Sequence, residues 1–237
     1  MGKMLPEAAL GVGIYSFADA ARFLDAPARE LRRWAHGYSY TGPGGELRKS
    51  PALLAAPQLE ASDFDGIGFR DLLELRFVKV FRGHGLSIHA IRRAAENARD
   101  LFHSTHPFTC KRFQTDGRSI FATVHEETGD ETLVDIIKRQ HVFAKIVEPS
   151  LYAGIDFDDQ QGALRWFPIP NSRKVVLDPE RSFGQPVIAG TGVPTAAVVD
   201  GLVAENGDIE RVARLFGISR DAVLKAKQFE SSVLRAA

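Results

Sequence analysis

Phe17, Ala20, Ala21 and Leu24 form the first clear pattern in this chain of 237 residues, apolar positions three and four apart on one helix face. Ser16 stands at the N-cap position, and Asp25-Ala26 breaks the run. Pro27, tolerated as a first helical residue, predicts a second helix to about His36, ended by Gly37. On that helix Leu31, Trp34 and Ala35 share one side. Arg29, Arg32 and Arg33 share another.

Beyond it, Tyr38 to Arg48 reads as a hairpin with the glycine-rich tip Gly42-Pro43-Gly44-Gly45, a wing that can follow a phosphate backbone through Arg48 and Lys49. Phe69 to Phe81 is an amphipathic helix stopped by Gly83 to Gly85. Ser87 then caps a helix through Ile88, Ile91, Ala94, Ala95 and Ala98 to Leu101. Residues 104–170 read as strands. Cys110–Thr115 and Arg118–His125 would pair across Asp116-Gly117, with Leu133–Ile137 as a third strand and a polar turn at Phe157–Gly162 before the apolar Leu164–Pro170.

The C-terminal quarter carries the most specific pattern. An apolar run Val175-Val176-Leu177 leads to the glycine-rich segment Gly184–Thr195. Three short helices follow, the first through Val198, Val199, Leu202 and Val203. Asp208 caps the second, with Ile209, Val212, Ala213 and Phe216 at buried spacing. Gly217 ends it, and Ser219 caps the third, which holds Ala222, Val223 and Ala226 inside and Arg220, Lys225 and Lys227 outside. Helix, tight turn, helix points to recognition of a macromolecule. The expected fold class is α+β, divided into a winged helix-turn-helix at 1–103, a β-rich middle or dimerisation segment at 104–170, and a three-helix unit at 171–237.

Composition changes this picture little. The hydrophobic fraction of 44% and charged fraction of 25% are those of a globular protein. The lone cysteine, Cys110, excludes an internal disulfide framework, and neither a signal segment nor a membrane span is expected, so a cytoplasmic protein is. The net charge of zero hides an asymmetry. Residues 1–50 carry seven Lys/Arg against five Asp/Glu, residues 69–103 seven against four, and residues 104–170 seven against ten. A local basic face suited to phosphate contact is compatible with that balance, as is a solvated helix face. The DNA-contact candidates are Arg29, Arg32, Arg33 and Arg48, with Arg220 and Lys225 as a second set.

Signs of catalysis are sparse. His103, His106 and Cys110 lack a fourth zinc ligand, and Pro107 interrupts their alignment. Asp156, Asp158 and Asp159 have no base or nucleophile beside them and read as a solvated turn. Gly11-Val12-Gly13 lacks the rest of a dinucleotide loop. No enzyme, cofactor or metal is expected.

Two resemblances follow from these motifs. Ala20-Ala21-x-x-Leu24, Leu31-Arg32-Arg33-Trp34, the wing, the Phe69–Phe81 helix and Gly85-Leu86-Ser87-Ile88 together resemble the winged helix-turn-helix of MerR-type regulators over residues 14–101. Pro27 stands where that family has a Ser or Thr cap, and Ser50–Gly66 is an insertion. The run Gly184-Gln185-Pro186-Val187-Ile188-x-Gly190-Thr191-x-Val193-Pro194 is similar to the C-terminal part of VapB-like antitoxins, which are encoded beside ribonuclease toxins of PIN or PIN-like fold. Gly192 replaces the usual arginine. Both parts together resemble the long VapB-type antitoxins of mycobacteria. The resemblance implies a homodimer that binds a ribonuclease toxin and represses its own promoter. A stand-alone MerR-like regulator that senses a ligand is the alternative, and a metal-dependent nuclease a third reading.

Overall fold

The computed structural model describes residues 11–59, 64–134, 137 and 151–234. Ser16 Oγ accepts from the Asp19 amide at 3.1 Å and the Asp19 carboxylate accepts from the Ser16 amide at 3.3 Å, a reciprocal cap that starts α1 (Phe17–Leu24). Asp25, left-handed at φ 49°, ends it. Pro27 sits one position before α2 (Ala28–His36), and Gly37 follows the last turn. Before them, β1 (Tyr15–Ser16) pairs antiparallel with β4 (Gly66–Ile67). Between α2 and β4 lies the expected wing, β2 (Tyr38–Thr41) against β3 (Leu47–Ser50), with Tyr40 opposite Arg48.

Two long helices carry this unit, α3 (Phe69–Gly83) and α4 (Ile88–Phe102), the latter capped by Ser87 as expected. α3 is buried on several sides, Leu72, Leu73, Leu75, Phe77, Val78 and Phe81 being fully enclosed.

The middle differs from the strand reading. Phe113–Thr128 is an α-helix, α5, and no hairpin joins Cys110–Thr115 to Arg118–His125. Its buried residues Phe113, Gly117, Ile120, Phe121 and Val124 recur at three- and four-residue steps. Asp116-Gly117, which looks like a turn dipeptide, lies inside the helix, and the chain turns at Gly129, left-handed at φ 66°. Leu133 lies in a short 3-10 turn rather than a third strand, and Val134 and Ile137 are helical. Residues 135 and 136 fall outside the described residues. The sheet that does form is β5 (Ile155–Phe157) against β6 (Ala163–Trp166), around the expected polar turn.

A cluster of rings explains where the middle packs. Phe108 lies 5.2 Å from Phe81 and 4.9 Å from Phe113, and Tyr152 lies 4.9 Å from Phe77. The middle segment thus completes the core of α3. A bridge from Trp166 to Leu177 carries β6 on to β7 (Val175–Val176), which pairs with β8 (Val187–Ile188). The three C-terminal helices follow as expected, α6 (Thr195–Ala204), α7 (Ile209–Phe216) and α8 (Arg220–Leu234). Asp208 and Ser219 cap the last two, and Gly217 lies between them at φ 63°. Helices with small antiparallel pairs make the class α+β. No helix among the described residues is long and apolar enough to cross a membrane.

The segment around Tyr15–Phe23 meets the C-terminal unit. Tyr15 Oη donates to the Gly184 carbonyl, the Ile14 amide to the Phe183 carbonyl at 2.9 Å, and Phe23 of α1 lies 6.0 Å from Phe229 of α8. Arg22 approaches Glu230 at 3.5 Å, and the same carboxylate accepts from Thr195 Oγ1 at 2.5 Å. Phe23, Trp166, Ile169, Pro170 and Phe229 line a cleft of about 360 Å³ at this seam.

Candidate nucleic-acid interface

α2 is held by its apolar side. Leu31 and Ala35 are fully buried and Trp34 nearly so, while Arg29, Arg32, Arg33 and His36 face solvent. The turn before it is anchored from α3, where Lys79 Nζ donates to the Leu24 carbonyl at 2.5 Å. The strand leaving the wing is anchored from α4. Arg92 donates to Ser50 Oγ at 3.1 Å and to the Pro51 carbonyl at 3.0 Å, and Arg99 donates to the Leu53 carbonyl. Two of the arginines behind the basic count of residues 69–103 therefore brace the scaffold rather than face a partner.

The wing buries neither face. Tyr38, Tyr40, Leu47, Arg48 and Lys49 are all exposed, Leu47 by 73%. Two strands with no apolar side packed are marginal by themselves. Here the bracing of Ser50 and Pro51 by Arg92 of α4 supports them. Tyr38 and Tyr40 alternate onto one face, rings 5.8 Å apart, and the register sets Arg48 opposite Tyr40 on that face. Arg33 completes the row from the helix side, its guanidinium 4.7 Å from the Tyr38 ring centre. The result is a basic and aromatic strip running from α2 onto the wing. Flat rings and guanidinium forks suit sugar–phosphate and base surfaces.

Within this strip the arginines differ. Arg29 is exposed, with no ion pair among the described residues. Arg48 is paired with Glu46 at the tip. Arg32 lies 4.6 Å over the Phe17 ring, and both of its terminal nitrogens are bound by Asp65. The hydrogen bond to Arg32, with the nearby charges of Arg32 and His36, holds the Asp65 carboxyl below its usual range. The second set lies on another unit. Arg220 reaches Glu210 of α7 at 3.3 Å, and Lys225 donates to Gln228 of its own helix at 2.9 Å.

Sequence reasoning missed Tyr38 and Tyr40 as contact candidates. Their alternation on a hairpin lacking a buried face was the available signal. It also missed Asp65, for which no local signal exists.

The histidines and cysteine form no cluster. His106 Nε2 lies 2.7 Å from Asp71 Oδ1, Cys110 Sγ donates to the His106 carbonyl at 3.5 Å, and His103 ends α4. Among the described residues no group of three His, Cys, Asp or Glu is arranged to hold a metal ion. Glu74, fully buried beside His106, accepts from the Phe108 and Thr109 amides at 3.2 Å each. Burial, the dominant influence, pushes its carboxyl up to about 7. Asp158 and Asp159 lie in the turn, Asp158 held by Arg70, while Asp156 lies in β5, held by Arg165 and Arg173.

The glycine-rich segment has separate demands. Gly184 has φ 80°, and a Cβ there would stand 2.3 Å from Tyr15 Oη and 3.1 Å from the Gly13 Cα. Gly192, at φ 75°, has open space around it. An arginine at 192 would have room but would need a left-handed backbone.

Comparison with known proteins agrees with both halves of this description. Residues 13–95 match a family described as "Putative DNA-binding HTH domain", and residues 175–229 match "Protein of unknown function (DUF433)". The chain is 27% identical over 223 residues to "Putative antitoxin VapB45" of Mycobacterium tuberculosis (strain ATCC 25618 / H37Rv), covering 91% of this chain and 92% of that protein. The crystal structure of Rv2018 from Mycobacterium tuberculosis shares its fold, with a TM-score of 0.66 and 24% identity over 92% of this chain and 98% of that one. The resemblance to a VapB-like antitoxin with a helix-turn-helix thus extends along nearly the whole chain.

Proposed function

We propose that this chain is the antitoxin of a type II toxin–antitoxin pair, acting in the cytoplasm without catalysis. It binds a cognate ribonuclease toxin of PIN or PIN-like fold and represses its own operon. Similarity to an antitoxin over 91% of the chain supports the class of function. The strip Arg33–Tyr38–Tyr40–Arg48, with Arg29 and Arg32 beside it, is the observation that carries DNA reading. Residues 1–103 supply that reading. In a homodimer joined through 104–170, two copies of α2 would meet half-sites roughly 34 Å apart. Residues 171–237 mark the antitoxin, with Arg220 and Lys225 as secondary contacts.

Co-expression with the product of the adjacent gene tests the central claim. A stable complex on size exclusion, with loss of ribonuclease activity, is the expected outcome. Two proteins that elute apart would overturn it.

A second reading, a stand-alone regulator that senses a ligand, draws on the cleft between α1 and α8, which joins the reading unit to the C-terminal helices. Promoter binding by the lone protein, altered by a small molecule and not by the toxin, would favour it.

A further inference from the structure

Arg32 and Asp65 form a fork-to-fork pair, with Nη1 to Oδ1 at 2.5 Å and Nη2 to Oδ2 at 2.7 Å. The pair lies in solvent, the side chains being 48% and 65% exposed, on the helix whose opposite face is buried. The guanidinium carbon lies 4.6 Å over the Phe17 ring centre, and the two terminal nitrogens that bind Asp65 are those that a guanine edge or a phosphate would take. Among the described residues, Arg32 and His36 are the groups whose charge acts on Asp65. No base-pair edge or phosphate can use that fork until the carboxylate leaves.

Resting on the DNA-binding reading above, we propose that Asp65 is an internal competitor for nucleic acid at Arg32. The pair must part before any duplex can take the Arg32 fork, so its cost falls alike on every duplex that does so. Asp65 therefore acts as a uniform brake on Arg32, lowering affinity for related and unrelated sequences by the same factor and leaving discrimination unchanged. The effect is modest, because an exposed ion pair contributes little and is screened by salt. Arg29, which has no such partner among the described residues, supplies sequence-independent attraction instead.

Asp65→Asn keeps the shape and removes the charge. Fluorescence anisotropy with the full chain compares a duplex from upstream of its own gene with a scrambled duplex of equal length. For Asp65→Asn both duplexes are expected to bind about three- to fivefold tighter, the range open to an exposed pair. The ratio of the two affinities should change less than about twofold. The salt slope on each should steepen by about one. Adding Arg32→Ala should erase these gains. Wild-type binding with scrambled-duplex affinity unchanged or weakened in Asp65→Asn overturns the inference alone. A gain confined to one of the two duplexes overturns the claim of a uniform brake. No binding of either duplex by any of the folded proteins overturns the DNA-binding reading and this inference with it.

Discussion

Tyr15 Oη donates a buried hydrogen bond of 2.8 Å to the carbonyl oxygen of Gly184, 169 positions along the chain. Residue 15 lies in the segment that matches a helix-turn-helix family, and residue 184 in the segment that matches the family of unknown function. The phenol is buried near Asp178 and Asp19, both of which, after burial itself, raise its pKa, so it stays a donor. This bond and the neighbouring one from the Ile14 amide to the Phe183 carbonyl fasten the two parts to each other.

Gly184→Ala should be costly for two reasons. The backbone is at φ 80°, and the added carbon would meet Tyr15 Oη at 2.3 Å. A loss of about 2–4 kcal/mol is expected, combining left-handed strain with overpacking. Tyr15→Phe alone should cost about 1 kcal/mol, the contribution of one hydrogen bond. In the double variant the hydroxyl is gone, so the losses should be less than additive in thermal melts. Strict additivity would show that the hydroxyl is not the source of the clash, since the ring carbon bearing it would still stand 2.9 Å from the added carbon.

Arg33→Ala and Tyr38→Ala should weaken promoter binding by about ten- to a hundredfold if each removes roughly 1–3 kcal/mol of contact. Arg29→Ala should weaken all duplexes alike and lower the salt slope by about one. Arg220→Ala and Lys225→Ala should have smaller effects, because the first is paired with Glu210 and the second is bonded within α8. Gel-shift titrations over a salt series check this. Equal losses from both sets would mean that both units lie on the DNA.

Glu74 gives a pH dependence of defined sign. Its carboxyl is raised by burial from 4.5 to about 7, so the folded state favours the proton. The stability this contributes is fully present below about pH 4.5 and is lost as pH rises through about 7. The loss is at most about 3 kcal/mol. Asp130 and Asp156 are shifted the other way, and their contribution fades only below the ordinary carboxylate range. Urea denaturation should show a fall in stability between pH 5 and 8 that is smaller in Glu74→Gln. An unchanged slope in that variant would assign the pH effect elsewhere.

The middle segment should be inseparable from the reading unit. Phe113 sits among Phe81, Phe108 and Phe121, so Phe113→Ala is expected to cost about 3–5 kcal/mol. A fragment ending at residue 103 would leave Phe77 and Phe81 without the rings of Phe108, Phe113, Phe121 and Tyr152. It is expected to bind a hydrophobic dye and to melt without a sharp transition. A cooperative melt of that fragment would show that the boundary is also a folding boundary.

Local signals account for most of what the sequence made legible. Ser16, Ser87, Asp208 and Ser219 start helices, and Gly37 and Gly217 end them, each within one turn of the residues it controls. Those positions could be read without knowing the rest of the chain. The error at α5 had a local cause too, since Asp116-Gly117 is a turn signal that burial of Gly117 within a helix overrides. Asp65 on Arg32 and Gly184 on Tyr15 were invisible for a different reason. Their partners are 33 and 169 positions away, and periodicity within a window carries no information on such pairs.

The seam of Phe23 against Phe229 has a bearing on how the protein is made. A ribosome adds about 5–20 residues per second, so α8 emerges on the order of ten to forty seconds after α1. During that interval Phe23 lacks Phe229, and the nascent chain presents an unfinished apolar surface. Synthesis of the last helix is therefore also the step that seals the first.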